Sequence, residues 1–427
     1  MKLTGYQKFV IAVLAFLQFT VILDFLILSP LGAVLLPELH VATSQFGLLV
    51  SVYAFSAAIS GLLTAGFADK FDRKKLLLFF YTGFILGTAL CGVAQSYHFL
   101  LAARIITGLF GGVIGSITMA IAADLFSLEQ RGRVMGVVQT AFAASQVMGL
   151  PVGLYLSNKW NWHVPFLMIV GIGTAVGVVI FMGLKPIDAH LKLKNDRNAF
   201  QHLLKTVSRP QYLRGFAATI LLATGGFMLM PFSSAFTVNN LGISLEHLPT
   251  IYFVTGISSI IAGPLLGRLS DSVGKYPVFC FGSILGLIMV IIYCHLGLTP
   301  LWGVILVNVV LFLGISARMV SASALISAVP DAPDRGAYMS VNSSVQQFAG
   351  GMASGLAGLI VVQTSSGRLE RYDVLGYIVA AAMLATIGLM YSIQKIAKSR
   401  LAKPALSLTA SGVQSLPDRG GALAPSK

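Results

Sequence analysis

The sequence GFADKFDRKK (Gly66–Lys75) lies between two long apolar segments and is the most informative motif for the fold of this chain. A related stretch, RLSDSVGK (Arg268–Lys275), follows an apolar segment in the second half of the chain, and Asp69 and Asp271 stand 202 residues apart. A second pair, RGRVMG (Arg131–Gly136) and RGAYMS (Arg335–Ser340), has an offset of 204 residues. Two matches at nearly one offset predict a duplicated unit rather than chance recurrence of Gly–Asp–basic turns.

The composition predicts a chain that is solvated largely by lipid. Hydrophobic residues make up 56% of the 427 residues and charged residues 10%, against about 25% charged residues in soluble proteins. The 44 glycines agree, because glycine is commoner in membrane helices than in soluble ones. The three cysteines lie in apolar runs without a CxxC spacing, which predicts neither a disulfide framework nor a metal site.

Apolar runs of about 20 residues, the length of a spanning helix, recur twelve times along the chain. The first carries Asp24 and lacks a small-residue cleavage site, so we expect a span rather than a signal peptide. The predicted spans cover 8–32, 45–67, 76–95, 99–123, 134–157, 164–184, 213–238, 248–267, 277–296, 301–328, 337–362 and 374–394.

The distribution of basic residues predicts the orientation in the membrane. With the N-terminus inside, 24 of the 29 Lys and Arg fall on the inner side, which is the positive-inside bias. The three tryptophans fall at predicted outer ends, where amphipathic rings prefer to lie. We therefore expect a multi-pass protein of a bacterial-type inner membrane with both termini cytoplasmic. The net charge of +14 then faces anionic lipid rather than nucleic acid.

The repeat divides the chain into four predicted regions. They are an N-terminal six-helix bundle at 1–184, a basic cytoplasmic linker at 185–212, a second six-helix bundle at 213–394 and a disordered cytoplasmic tail at 395–427. The predicted fold class is an all-α membrane protein of twelve helices in two pseudo-symmetric bundles. Such repeats are typical of secondary transporters, whose substrate sites lie at the repeat interface near the midplane.

The loop motif resembles that of the major facilitator superfamily, where it usually reads Gly-x-Leu-Ala-Asp-Arg-x-Gly-Arg-Arg; here Asp72 replaces the second glycine. Two further motifs are similar to those of the superfamily, and the second to the drug/proton antiporter (arabinose-efflux-like) branch. They are RIITG (Arg104–Gly108) in span four and GLPVG (Gly149–Gly153) in span five, the latter with fewer glycines than the family pattern. The resemblance covers spans one to twelve. It implies the major facilitator fold, rocking of two bundles, and a hinge motif at Gly149, Pro151 and Gly153.

Charges inside membrane spans are costly and mark functional sites by default. Asp24 in span one and Arg104 in span four are predicted at comparable depths in the outer half, on helices that line the superfamily's central cavity. An Asp near an arginine ionises easily, whereas one left alone in a low dielectric holds its proton. A movement that makes or breaks the pair would move a proton, so we assign proton coupling to Asp24 and Arg104. The alternative is a static pair that only fixes helix packing.

Polar and aromatic residues on the predicted inner helices outline a substrate cavity. The set is Tyr53, Gln139, Gln146, Phe227, Met230, Phe232, Tyr252, Arg318, Asn342 and Gln346. Each alone is more often helix-packing glue, but together they predict a largely apolar cavity for an amphiphilic or lipophilic organic molecule. Arg318 has no obvious acidic partner. It binds an anionic substrate group, contacts backbone carbonyls or snorkels inward, and the sequence leaves these alternatives open.

The resemblance also implies a conformational latch between the halves at the inner face. Asp69 would meet the N-terminus of span eleven, because carboxylates are favoured at helix N-termini; a solvated turn residue is the alternative. The residues assigned to this latch are Gly66, Asp69, Arg73, Arg131, Arg133, Asp271 and Arg335. Breaking their contacts would accompany the inward-open state.

These features together predict a proton-coupled secondary transporter that exports small organic molecules by alternating access. A proton symporter that imports a nutrient or metabolite would use the same Asp–Arg pair, and a non-transporting receptor or scaffold is a remoter alternative. No GxxxxGK[ST] loop, HExxH motif or zinc-ligand histidine spacing occurs, so we expect no catalytic residues, metal or cofactor. The expected partners are a small-molecule substrate, protons and membrane lipid, with no nucleic acid, and a monomer is expected.

Overall fold

A computed structural model describes residues 3–64, 68–188, 191, 209–331 and 334–410, and this part of the chain is almost entirely helical. The helices of the first half are α1 (Gly5–Ile27), α2 (Gly32–Glu38), α3 (Thr43–Thr64), α4 (Arg73–Gly92), α5 (Tyr97–Leu125), α6 (Leu128–Ala144), α7 (Leu150–Lys159) and α8 (Val164–Gly183). Those of the second half are α9 (Pro210–Phe227), α10 (Ser233–Asn239), α11 (Leu248–Val273), α12 (Lys275–Cys294), α13 (Leu301–Ser327), α14 (Arg335–Ile360) and α15 (Tyr372–Ala410). Strands β1 (Val362–Gln363) and β2 (Leu369–Glu370) form a short antiparallel hairpin between α14 and α15.

Eleven helical segments of the described chain are long and apolar enough to cross a membrane. The sequence predicts twelve, and the remaining predicted span corresponds to α14, which is 26 residues long. This helix carries Asn342, Gln346 and Gln347 among many small residues, which lowers its mean hydropathy. Its length still suffices for a span, and its small residues are explained by close packing against α3.

Two of the predicted spans are interrupted rather than continuous. Span five consists of α6, a π-helical turn at Ser145–Gly149 and α7. Span seven consists of α9, a 3-10 turn at Met230–Phe232 and α10. Pro151 and Pro231 lie at these interruptions, because a proline has no N–H to donate to the preceding turn.

The described residues also bear on the two predicted non-helical regions. Helix α15 continues past the predicted end of span twelve at 394 and reaches Ala410. The rest of the predicted tail, 411–427, lies outside the described residues, as do 189–190 and 192–208 of the predicted linker.

The packing of the two halves differs between the two ends of the helices. We call the end of the helices that carries Lys70, Arg73 and Arg131 the basic face. The other end of the same helices is the opposite face. Towards the basic face each half has a core of its own, one including Val10 and Ile121 and the other including Tyr212 and Phe216. Towards the opposite face, residues of both halves share one core. It includes Leu28, Phe46, Phe232 and Tyr372.

Hydrogen bonds also join the halves at the opposite face. Thr43 Oγ1 donates to the carbonyl oxygen of Val361 at 2.6 Å, and Ser234 Oγ donates to that of Ser29 at 3.1 Å. Asn158 Nδ2 donates to the carbonyl oxygen of Leu245 at 2.8 Å. The halves are therefore closed together at the opposite face, and their described cores separate towards the basic face.

Candidate functional site

The structure brings together the two residues to which the sequence assigns proton coupling. Nη1 of Arg104 donates to Oδ2 of Asp24 at 2.8 Å and to the Asp24 carbonyl oxygen at 3.3 Å. The Thr88 hydroxyl on α4 lies 3.1 Å from Asp24 Oδ1. The Arg104 and Asp24 side chains are 1% and 0% exposed. Three helices of the first half thus enclose a buried ion pair.

The ring of Tyr53 lies beneath the Arg104 guanidinium. The distance from Arg104 Cζ to the ring centroid is 4.5 Å, within the range of a cation–π contact. Gly108 makes this possible, because a Cβ at that position would lie 2.5 Å from the Tyr53 carbonyl oxygen. Helices α3 and α5 therefore approach closely one turn from Arg104. Tyr53, predicted to line the substrate cavity, is instead buried within the ion-pair site.

The predicted hinge motif in span five packs directly against α1 beside Asp24. A Cβ at Gly149 would lie 2.5 Å from Leu23 Cδ1, and a Cβ at Gly153 would lie 2.6 Å from Ile27 Cδ1. The π-helical turn at Ser145–Gly149 immediately precedes this contact. The motif thus couples the position of span five to the segment of α1 that carries the carboxylate.

A chain of aromatic rings leads from the ion pair to the other half. The ring centroid of Phe25 lies 5.2 Å from that of Tyr53 and 5.7 Å from that of Phe227 on α9. Gly350 on α14 leaves room for the Phe227 ring, since a Cβ there would lie 3.0 Å from it. Phe25, the residue after Asp24, is therefore the direct contact between the neighbourhood of the ion pair and the second half.

The remaining predicted cavity residues are not gathered at one site. Phe232 is fully buried in the shared core, with its ring edge-on to Phe46. Gln139 is exposed, but Gln146 falls within the π-helical turn, where its backbone packs against Gly256.

Other members of the predicted cavity contact their own half. Thr219 Oγ1 donates to Oδ1 of Asn342 at 2.6 Å, which joins α9 to α14. Met230, Tyr252 and Gln346 are half-buried. Arg318 is 3% exposed and lies inside the second half, where its Nη2 donates to Thr386 Oγ1 at 3.3 Å.

A groove of about 440 Å³ runs between α3 and α14, lined largely by apolar residues that include Leu48, Phe55, Met352 and Leu356. It is separate from Asp24 and Arg104, which are not among its lining residues. Within the described residues, no group of three or more His, Cys, Asp or Glu is placed to hold a metal ion.

The described members of the predicted latch contact their own half. Arg73 Nε donates to Asp124 Oδ2 at 3.1 Å, and its Nη1 donates to the Ala68 carbonyl oxygen at the same distance. Arg131 donates to the carbonyl oxygens of Phe126 and Ala123 at the end of α5. The contacts of Arg131 stabilise the C-terminal end of α5, because the unpaired carbonyls at a helix C-terminus attract cations.

The other latch residues divide between an exposed position and positions outside the description. Asp271 is exposed and lies 3.9 Å from Lys275, one turn away on the chain. Gly66 and the side chains of Asp69, Arg133 and Arg335 lie outside the described part of the structure. The predicted contact between Asp69 and span eleven therefore stays a prediction.

Asp72 explains the departure from the family's loop pattern. Its side chain accepts the backbone N–H of Lys75 at 2.9 Å and that of Ile187 at 2.7 Å. It thus caps the N-terminus of α4, which a glycine side chain could not do. Asp72 therefore also connects the start of α4 to the segment after α8.

A second polar cluster lies at the basic face of the second half. Nη1 of Arg209 donates to Oδ2 of Asp334 at 2.6 Å and to Oδ2 of Asp331 at 3.3 Å. The hydrogen bond with the Tyr212 hydroxyl, and then the charge of Asp334, raise the pKa of Arg209. The cluster fixes the start of α9 to the segment between α13 and α14.

Sequence reasoning missed three contributors to the ion-pair site. Thr88 is one of many hydroxyl residues in apolar runs, so nothing in the pattern singles it out. Phe25 has a usable signal, because it directly follows the one aspartate of span one. Gly108 belongs to a quoted motif, but its role in admitting Tyr53 appears only when α3 and α5 pack together.

Comparisons with known proteins agree with this architecture. The MFS-type transporter YceJ of Bacillus subtilis (strain 168) is 25% identical over 63% of this chain and 68% of its own length. The MFS-type transporter YbcL of the same organism is 24% identical over 87% of this chain and 93% of its own length. A crystal structure of the nucleoside transporter NupG covers 91% of this chain and 99% of its own, with a TM-score of 0.73 at 13% identity, which shows likeness of fold.

A family model described as Major Facilitator Superfamily matches residues 14–354 and, separately, residues 215–411. The first match covers well over half of the chain, and the second begins close to the start of α9. The all-α architecture and the long apolar helices agree with that family's fold. The chain belongs to the major facilitator superfamily and is a multi-pass membrane transporter.

Proposed function

We propose that this transporter is a proton-coupled exporter of small amphiphilic organic molecules, in which Asp24 carries the coupled proton. The observation that supports this most is the Asp24–Arg104 pair, with Nη1 and Oδ2 2.8 Å apart in a water-excluded setting. Asp24 is the one carboxylate with no exposure among the described residues. An ionised carboxylate is tolerated there only while Arg104 is beside it.

The position of Asp24 links its charge to the movement of the halves. It lies near the end of α1 that contacts the second half, where Phe25 meets Phe227 and, just after the helix, Ser29 meets Ser234. Opening the opposite face would break both contacts and displace α1. A displacement of the carboxylate from Arg104 favours its protonated form, because a lone carboxylate in a low dielectric binds a proton.

We propose a cycle in the export direction that uses this linkage. With the opposite face closed and the ion pair formed, the protein is unprotonated at Asp24 and accepts substrate from the basic face, which we place in the cytoplasm. Opening of the opposite face releases substrate and admits a proton to Asp24. The return movement carries the proton to the basic face, where the pair with Arg104 forms again and expels it. Substrate and proton thus move in opposite directions.

The substrate class is inferred from the residues between the halves. The contact surface there is aromatic and apolar: Phe25 and Phe227 are in contact, and both pack with Met230 and Tyr252 against the shared core as half-buried residues. A largely apolar site with few polar groups favours a molecule with a large hydrophobic part. The described ion pair is already internally neutral, so it does not select substrate charge.

Transport into proteoliposomes tests this proposal. A fluorescent amphiphilic cation such as ethidium and a fluorescent amphiphilic anion serve as probes, after a thermal-shift screen at two pH values has selected those that bind. An acidic lumen should drive accumulation of the bound probe, with alkalinisation of the lumen that a trapped pH dye reports.

The outcomes separate export from the alternatives. Accumulation driven by an acidic exterior instead would identify proton symport and overturn the proposed direction. Probe exchange without any proton movement would overturn proton coupling. The matched control for a substitution of Asp24 is Glu38→Gln, because Glu38 is an exposed carboxylate at the opposite face. Glu38→Gln should transport like the wild type.

A further inference from the structure

Arg318 on α13 is a buried cation, and no anion is paired with it among the residues that the structure describes. Its side chain is 3% exposed and is surrounded by helices of the second half. Its one hydrogen bond among the described residues is from Nη2 to Thr386 Oγ1 on α15, at 3.3 Å. Its Nε is buried and has no acceptor in that part of the chain. The ring of Phe279 on α12 lies below it, with the centroid 5.9 Å from Cζ.

This arrangement leaves the charge of Arg318 uncompensated. A guanidinium stays protonated in proteins and offers five N–H donors, and an unpaired charge inside a membrane span is costly. The first half avoids that cost at Arg104, which holds Asp24 at 2.8 Å. No ion pair to Arg318 exists among the residues that the structure describes, although its position is as well buried.

The chain repeat shows where the second half lacks a carboxylate. Gly225 on α9 stands 201 residues after Asp24 on α1, close to the offsets of 202 and 204 between the loop motifs. Gly225 faces Arg318, since a Cβ at Gly225 would lie 2.9 Å from Arg318 Nη1. Arg318 stands 214 residues after Arg104, so the two arginines are not repeat counterparts. The second half therefore has a glycine, and no carboxylate, at the position of α9 that faces this cation.

A second unpartnered polar group lies on the face of α12 that carries Phe279. Ser283 is four residues further along that helix, and residues at this spacing share a face. Its Oγ is buried and has no hydrogen-bond partner among the described residues. A buried serine in a helix commonly donates to the carbonyl of the preceding turn. The Ser283 hydroxyl is a second unused donor among the described residues, on the α12 face that carries Phe279, the ring in contact with Arg318.

We propose that the second half contains an anion-binding site at Arg318, which takes a small monovalent anion, either chloride or a single carboxylate group. The guanidinium supplies the charge, and its free Nε donates to the bound anion. Gly225 contributes no side chain that pairs with the guanidinium, so the charge is left for a bound anion. This site is separate from Asp24 and Arg104 and does not depend on the proposed proton coupling.

Thermal unfolding of the purified protein in sodium chloride and sodium gluconate of equal ionic strength tests the site, with gluconate as the reference because its polyol chain makes it too bulky for a buried site. Chloride should raise the midpoint temperature in a saturable way, because a ligand of the folded state stabilises it. Bromide should act as chloride does, and its anomalous scattering should mark a position beside Arg318 in crystals. Formate and acetate form the carboxylate arm, and stabilisation by them without chloride would assign the site to a carboxylate.

Three variants make the test specific. Arg318→Gln should raise the half-saturating anion concentration roughly tenfold or more. Arg368→Gln is its control, because Arg368 is exposed at the opposite face. Gly225→Asp supplies the anion from the chain, so it should remove the anion dependence while the protein stays folded. This variant keeps the test valid if Arg318→Gln does not fold.

Two outcomes would overturn the inference. One is a wild-type protein whose stability is the same in chloride, formate and gluconate. The other is an anion dependence that is retained by Gly225→Asp or by a folded Arg318→Gln. Neither result bears on Asp24, so the failure of this site and the failure of proton coupling are distinguishable.

Discussion

Asp24 and Arg104 illustrate how a buried ion pair depends on its surroundings. Removal of two charges from water is expensive, and their attraction offsets that cost only with good geometry and additional hydrogen bonds. Here the Thr88 hydroxyl and the Tyr53 ring provide such contacts. The pair therefore has enough support to form but loses that support if α1 moves, which suits a residue that exchanges a proton.

Removal of one partner of the ion pair should destabilise the folded protein more than removal of both partners. Asp24→Ala leaves Arg104 buried without a counter-charge, and we expect a loss of about 3–5 kcal/mol in the free energy of unfolding. Asp24→Ala combined with Arg104→Met should lose less, because the methionine leaves no unpaired charge. Unfolding of the two variants in parallel measures the difference. A double variant that is less stable than Asp24→Ala would contradict the account of this site.

The sequence shows part of this site and not the rest, for physical reasons. Charges in apolar runs are rare and costly, so Asp24 and Arg104 stand out, and the structure places them in contact. Hydroxyls and aromatic rings in such runs are numerous, so the positions of Thr88 and Phe25 depend on tertiary packing. Phe232 was assigned to a cavity because of its residue type, whereas its burial depends on closure of the opposite face.

At the scale of elements, the main contact between the halves is the packing of α3 on α14. A Cβ at Gly358 would lie 2.8 Å from the Thr43 carbonyl oxygen and 3.0 Å from the Gly47 Cα. These neighbours are backbone atoms and cannot move aside as a flexible side chain would. The closed opposite face thus depends on glycines that contribute nothing to hydropathy.

Gly358→Leu should therefore disfavour the closed opposite face. Overpacking typically costs about 1–3 kcal/mol, and each 1.4 kcal/mol changes a population about tenfold. The measurement is the maleimide labelling rate of Ser234→Cys in a background that lacks the native cysteines, because Ser234 is buried at the closed end. We expect the rate to rise about tenfold or more.

Gly388→Leu is the matched control for this experiment. A Cβ at Gly388 meets nothing within 4 Å, so the same change in residue type should leave the labelling rate unchanged. An equal rise in both variants would show that the glycine contact does not hold the halves together.

The elements themselves were largely predictable, and their interruptions were not. Apolar length predicts where a helix crosses a membrane, and the structure has a helix or a pair of helices at each predicted span. The π-helical turn at Ser145–Gly149 lies beside the contact of Gly149 with Leu23. That contact joins residues 126 positions apart in the chain, so periodicity along one segment carries no signal for it.

At the scale of the whole molecule, the two ends of the helices have different roles. The shared core at the opposite face holds the halves together, while separate cores at the basic face let each half move as a body. Alternating access requires the shared core to divide and the basic face to close. Asp24 directly precedes Phe25, which contacts the second half where that division would occur. The proposed proton coupling therefore predicts that the protonation state of Asp24 and the conformation of the protein are linked.

The most direct test of this linkage compares two activities of Asp24→Asn in proteoliposomes. A variant that lacks the titrating group should still exchange labelled substrate across the membrane, because exchange needs movement of the halves but no net proton transfer. It should fail to accumulate substrate in response to a pH gradient, which the wild type and Glu38→Gln should do. Gradient-driven accumulation by Asp24→Asn at the wild-type level would contradict the claim that Asp24 carries the coupled proton.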